Sequence, residues 1–160
     1  MTLNATGLTT TGDITCDSLI SNNPSIAFFL TTATYQVPAN STSYLSTNGT
    51  YTNVINRGSV TFSNGSTSIT KTGLYQISAM WFLTGQTSTF LPTDYWTGIS
   101  TTAGATLRRR RGNNVNFQVA LSAGQSYTFF IFNTTASTIT ISTGGSTGAP
   151  NNYFSISYLV

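Results

Sequence analysis

Arg108-Arg109-Arg110-Arg111 is the one place in this chain where charged side chains stand together; only Arg57 and Lys71 lie outside it. A guanidinium is planar, permanently charged and able to grip an oxyanion through paired N–H donors. The run therefore points to an anion or a partner: phosphate, a sulfated or sialylated glycan, or an acidic capsid surface. The alternative is a solvated loop that keeps a charge-poor chain soluble. In a strand these side chains would alternate faces and some would point inwards. Gly112-Asn113-Asn114 follows at once, so the run is expected in a loop. Asp94-Tyr95-Trp96 is the second group with chemistry in it. An aromatic pair beside a carboxylate could stack on a sugar ring, or it could be one core residue and one edge contact.

Other chemistry is short of reagents. The chain has no histidine and no glutamate, and its acids are Asp13, Asp17 and Asp94. Without histidine there is neither a Ser/His/Asp nor a Cys/His arrangement. Two of the three acids sit close to the N-terminus, which leaves no paired-carboxylate mechanism. Cys16 alone makes no zinc site and no intramolecular disulfide. Calcium would need Asp94 to be joined by backbone and asparagine oxygens. The expectation is a protein that is not an enzyme and takes no cofactor.

Composition narrows the partners further. Charged residues make up 6% of 160 residues, and the formal net charge is +3. A coat protein that packages nucleic acid usually carries a basic N-terminal arm, and Met1 to Asn23 contains no basic residue. Nucleic acid is therefore not an expected partner. The N-terminus has neither a basic stretch nor an apolar core of the secretory kind. No apolar run approaches the ~20 residues that span a bilayer, so a membrane is not expected either, and the chain is expected to be made in a cytosol.

The elements that must position these groups are strands. Val115–Leu121, Tyr127–Phe132, Thr138–Ser142 and Tyr153–Val160 mostly alternate apolar and polar residues, as does the stretch from Gly73 to Phe82. Shorter candidates precede them at Ser25–Thr32, Ser43–Ser46, Tyr51–Asn56, Ser59–Phe62 and Ser66–Thr70, with Tyr95–Ser100 after Pro92. Asn48-Gly49, Arg57-Gly58 and Asn64-Gly65 are turn signals between them. In Ser25–Thr32, Ile26, Phe28 and Leu30 share one face while Ala27 and Phe29 share the other, which predicts a strand buried on both sides. No stretch of helical period appears. The fold class is all-β, a two-sheet antiparallel sandwich of jelly-roll or Greek-key type over residues 24–160. Residues 1–23, with scattered Leu and Ile among small polar residues, hold too little apolar surface to fold alone. They are read as an attachment or stalk segment that becomes ordered in an oligomer, the alternative being a partly disordered tail.

The order of motifs resembles the tumour necrosis factor-like jelly roll, the family that includes the globular head of complement's first component. "SIAFFLTT" is similar to its first strand, through Ala27-Phe28. "SITKTGLYQISAMWFL" is similar to its central Gly-x-Tyr signature, through Gly73 and Tyr75. "NFQVALSAGQSYTFFIFN" resembles its Leu-x-x-Gly hairpin, at Leu121 and Gly124, with Gln125 where many relatives carry an acid. "NNYFSISYLV" resembles the closing strand. The resemblance implies a tight homotrimer that buries apolar and aromatic faces, with the last strand beside the first. Phe28, Tyr75, Phe130, Tyr153 and Tyr158 are the residues expected at that interface. The family's usual collagen-like stalk is absent, because residues 1–23 have no Gly-x-y repeat; they look more like leader segments of viral and phage structural proteins.

The function expected from the sequence is that of a virion structural protein. It would be a trimeric jelly-roll knob or a minor capsid or fibre component, docked to other virion proteins through residues 1–23 and contacting a host receptor or glycan. It would reside in the virion after synthesis in host cytoplasm. The alternatives are a soluble receptor- or glycan-binding module and a self-assembling shell coat protein.

Overall fold

The computed structural model describes residues 23–31, 35–47, 49–58, 60–84, 94–142 and 152–160. The proposed attachment segment, apart from Asn23, lies outside them, as do the loop around Pro92 and most of Ser142–Asn152. Among the described residues the elements are all strands: β1 (Ser25–Leu30), β2 (Tyr35–Val37), β3 (Ser41–Tyr44), β4 (Tyr51–Arg57), β5 (Thr61–Ser63), β6 (Ser66–Ser68), β7 (Gly73–Trp81), β8 (Tyr95–Thr101), β9 (Thr106–Arg111), β10 (Asn114–Leu121), β11 (Ser126–Asn133), β12 (Ile139–Ile141) and β13 (Asn152–Tyr158). Sheet I has the order β10-β7-β13-β1-β4. Sheet II has the order β5-β6-β11-β8-β9, with β3 also paired to β11, and β12 pairs with β2 in a small third sheet. Every strand pairing is antiparallel.

The two-residue period decides which side chains face inwards. β7 buries Tyr75, Ile77, Ala79 and Trp81 and leaves the intervening residues half-buried; β10 buries Val115, Phe117 and Leu121. β1 contributes Ile26, Phe28 and Leu30, and β13 contributes Phe154 and Ile156. Sheet II answers with Ile99, Tyr127, Phe129 and Ile131. Phe28 is the hub of this core. Its ring lies 5.6 Å from Phe154 in its own sheet, and 4.5 Å from Phe62 and 5.9 Å from Phe129 in the other.

Turn chemistry follows the sequence where glycine is required. Asn64 (φ 48°) and Gly65 (φ 72°) form the two-residue turn between β5 and β6, a conformation that Asn-Gly adopts at low cost. Gly73 serves a different need. A Cβ there would sit 2.3 Å from Val160 O and 2.5 Å from the Tyr158 ring, so its bare backbone lets the C-terminal strand close on β7. The ladder continues past β13, with Leu74 N donating to Val160 O and Leu159 N donating to Leu74 O.

Three sequence expectations change. β2 and β9 were not anticipated as strands. Leu121-x-x-Gly124 is not a hairpin within one sheet: β10 lies in sheet I and β11 in sheet II, so this turn, with Gly124 at φ 77°, carries the chain across the sandwich. The arginine run is not a loop but most of β9.

Candidate functional site

β9 is the outermost strand of sheet II, and each of its six residues is exposed. A strand can hold four consecutive arginines here because it overhangs the rim of the sandwich, where neither face is covered. The register with β8 sets Trp96 opposite Arg111, Thr97 opposite Arg110, Gly98 opposite Arg109 and Ile99 opposite Arg108. Thr97 and Ile99 are buried toward the core, so Arg108 and Arg110 leave from the inner side of the sheet, and Arg109 and Arg111 from its outward side.

The outward pair is not simply solvated. Arg109 Cζ lies 4.6 Å and Arg111 Cζ 5.0 Å from the centroid of the Trp96 ring, within cation–π range of the same indole. On the inner side, Arg108 Nη1 donates to Gln118 O of β10 at 2.8 Å and bridges the two sheets at their open rim. Asp94 is the only acidic residue among those described, and no ion pair joins an acid to these arginines there.

The close approach of β9 depends on Gly98. A Cβ there would fall 2.5 Å from Arg108 O and 2.5 Å from Phe130 Cζ, so the strand and the ring both use the space a side chain would fill. Behind β8, Trp81 Nε1 donates to Thr97 Oγ1 at 2.8 Å, and Thr97 Oγ1 donates to Gly112 O at 2.7 Å. That buried relay ties the core to the turn that ends β9.

Asp94, Tyr95 and Trp96 do not make a common platform. Tyr95 is in the core, 5.8 Å from Trp81, and its hydroxyl pKa is raised by burial and then by the nearby Asp94. Trp96 is half-buried on the outward side beneath the two arginines. Asp94 is exposed, and its backbone carbonyl accepts from Thr134 N and Oγ1.

The aromatic residues expected at a subunit contact also separate. Phe28 and Tyr75 are fully buried within their own sandwich, so neither is free to meet a neighbour. Burial raises the Tyr75 hydroxyl to about 12, with Tyr158 and Tyr127 adding to the shift. Phe130 is buried on the outward side of sheet II, 6.0 Å from Tyr44. Tyr158 closes one end of the sandwich, 5.3 Å from Tyr75 with Lys71 Nζ 4.0 Å over its ring. Only Tyr153 lies on the outward side of sheet I. There it is paired with Met80, and the register that sets Phe28 opposite Phe154 places Phe29 next to it. Ala27 and Ile55 are opposite one another in the adjoining row. Phe29, Met80 and Ile55 share this outward side, which an aromatic count does not distinguish from the inner one; the doubly apolar pattern of β1 was the usable signal.

The outward side of the three central strands of sheet I carries Ser25, Ala27, Phe29, Leu74, Gln76, Ser78, Met80, Tyr153, Ser155 and Ser157, without one charge. No protein-family model and no curated protein matches the chain. Solved structures do. Murine APRIL crystallised at pH 8.5 superposes with a TM-score of 0.51 at 12% identity, over 86% of this chain and 99% of that one. The same protein at pH 8.0 gives 0.51 at 13% identity, over 84% and 98%. GITRL from bushbaby matches more loosely, at 0.44 and 15% identity over 85% and 94%. The fold is a tumour necrosis factor-like jelly roll. In this jelly roll, as expected, the closing strand β13 lies beside β1 in the middle of sheet I.

Proposed function

We propose that this chain is the globular head of a non-enzymatic homotrimer and serves as a knob or minor capsid or fibre component of a virus particle, joined to other virion proteins through residues 1–23. The observation that carries the trimer is the outward side of sheet I, charge-free across its three central strands, with Phe29, Met80 and Tyr153 half-buried, Ile55 36% exposed and Arg57 only at the β4 edge. Depletion of charge around an apolar and aromatic centre is the signature of a subunit contact rather than of a solvated face. The shared jelly-roll fold is consistent with it. The particle setting is supported by the small-residue pattern of residues 1–23. The chain's shortage of catalytic groups supports a binding or structural role, and its site of action is then the virion.

Native mass spectrometry tests the assembly: the expected mass is three times the 17.1 kDa chain. A chain that stays monomeric at micromolar concentration overturns the trimer. Deleting residues 1–23 should leave the trimer intact and abolish incorporation into particles. A soluble receptor- or glycan-binding module is the second reading, favoured by the exposed arginine strand; in that case the same deletion leaves function unchanged.

A further inference from the structure

We propose that β9 and Trp96 form a binding site for a linear sulfated polysaccharide. The site is complete within one chain, so it stands or falls separately from the trimer. Its charge is concentrated and uncompensated: Arg108, Arg109, Arg110 and Arg111 are all exposed, and no ion pair opposes them among the described residues. Three of the four are nonetheless held in place. Arg109 and Arg111 rest on the Trp96 ring, and Arg108 is hydrogen-bonded to Gln118 O. Ordering a long side chain normally subtracts from binding, so guanidinium groups fixed beforehand lose less on meeting an anion. Guarding a sheet edge against aggregation needs one or two charges and no stacked ring.

The ligand chemistry follows from shape. A guanidinium presents paired donors to a sulfate or phosphate oxyanion. Successive arginines on one side of a strand are roughly 7 Å apart, and the two sides of β9 carry two each, so the charge forms a line along the rim. An open line holds a small free anion poorly, because nothing encloses it. It holds a chain of repeated anions well, because each group adds to the retention of the next. A single-stranded nucleic acid would use free aromatic faces for its bases, and Trp96, the ring beside the run, is already covered by two arginines.

The test titrates the full-length protein with heparin and follows the fluorescence of its two tryptophans, of which Trp81 is buried. Heparin should perturb Trp96 emission, and fully desulfated heparin should bind at least about tenfold more weakly. Arg109→Gln with Arg111→Gln should weaken heparin binding about tenfold or more at unchanged thermal stability. The four-lysine variant, which keeps the charge, should still bind less tightly than the parent, because an ammonium cannot match the paired donors. Unchanged affinity in the glutamine variant overturns the site, as does equal binding of desulfated heparin. Tighter binding of single-stranded RNA or of polyglutamate than of heparin at the same salt also overturns it, and assigns the strand to that polymer. Should the glutamine pair unfold, Trp96→Phe read by heparin elution at matched net charge decides: a lower eluting salt supports the site and an unchanged one refutes it.

Discussion

Single side chains here do two kinds of work, and buried polar contacts separate them. Thr97 both accepts from Trp81 Nε1 and donates to Gly112 O in a buried site. Thr97→Val keeps the shape but strands a donor and an acceptor, so unfolding in urea should show a loss of about 1–3 kcal/mol. Asn152 works similarly across β1: its Oδ1 accepts from Leu30 N and its Nδ2 donates to Leu30 O and Ser142 O. The buried tyrosines make stability depend on alkaline pH. The Tyr75 hydroxyl is raised from 10.0 to about 12, with Tyr35 and Tyr51 also raised, so the folded state holds protons that the unfolded state releases. Stability is then level below pH 10 and falls as pH rises from 10 towards about 12. Urea midpoints measured at pH 9 and at pH 11.5 should show the drop, and Tyr75→Phe should reduce it. A flat profile would contradict the assignment.

At the scale of elements, β9 is the informative case. Its residues are all exposed, so no hydrophobic period marks it, and the turn Gly112-Asn113 follows it. What makes it a strand is hairpin pairing with β8 across the four-residue connection 102–105, a pairing that no apolar alternation within 106–111 announces. Gly98 permits that pairing. Gly98→Val would push against Arg108 O and the Phe130 ring, costing about 1–3 kcal/mol by overpacking. Amide exchange should rise specifically along residues 106–111, and protection equal to the parent would show that β9 does not rely on the glycine. β7, β10 and β13 were legible beforehand because one or both of their faces alternate with period two. The short β2 offers too few residues to show any period.

For the whole molecule, the same jelly roll leaves two different surfaces. The outward side of the three central strands of sheet I carries no charge and is apolar at its centre, with Arg57 at the edge on β4, while the rim formed by β9 holds four of the chain's six basic residues. Ser78→Arg introduces a charge at the centre of the first surface without touching the core. It should convert the proposed trimer to monomers in analytical ultracentrifugation, with an unchanged far-ultraviolet spectrum; a trimer persisting in the variant would place the contact elsewhere. Phe154→Ala, by contrast, empties the centre of the sandwich beside Phe28 and Phe129 and should cost about 3–5 kcal/mol.

The sequence by itself determined the class of fold, most strands and the Asn64-Gly65 turn, because alternation and positive backbone angles are local properties. It also identified the arginine run and the scarcity of catalytic groups, which are matters of composition. Only the tertiary structure decided which apolar face is the inside. β1 is apolar on both sides, and nothing along the chain says that Phe28 enters the core while Phe29 faces out; the opposing sheet says it. Only the tertiary structure, too, set Arg109 and Arg111 on Trp96. That contact joins positions on different strands, and its geometry comes from the β8–β9 register, which exists once the sandwich has closed.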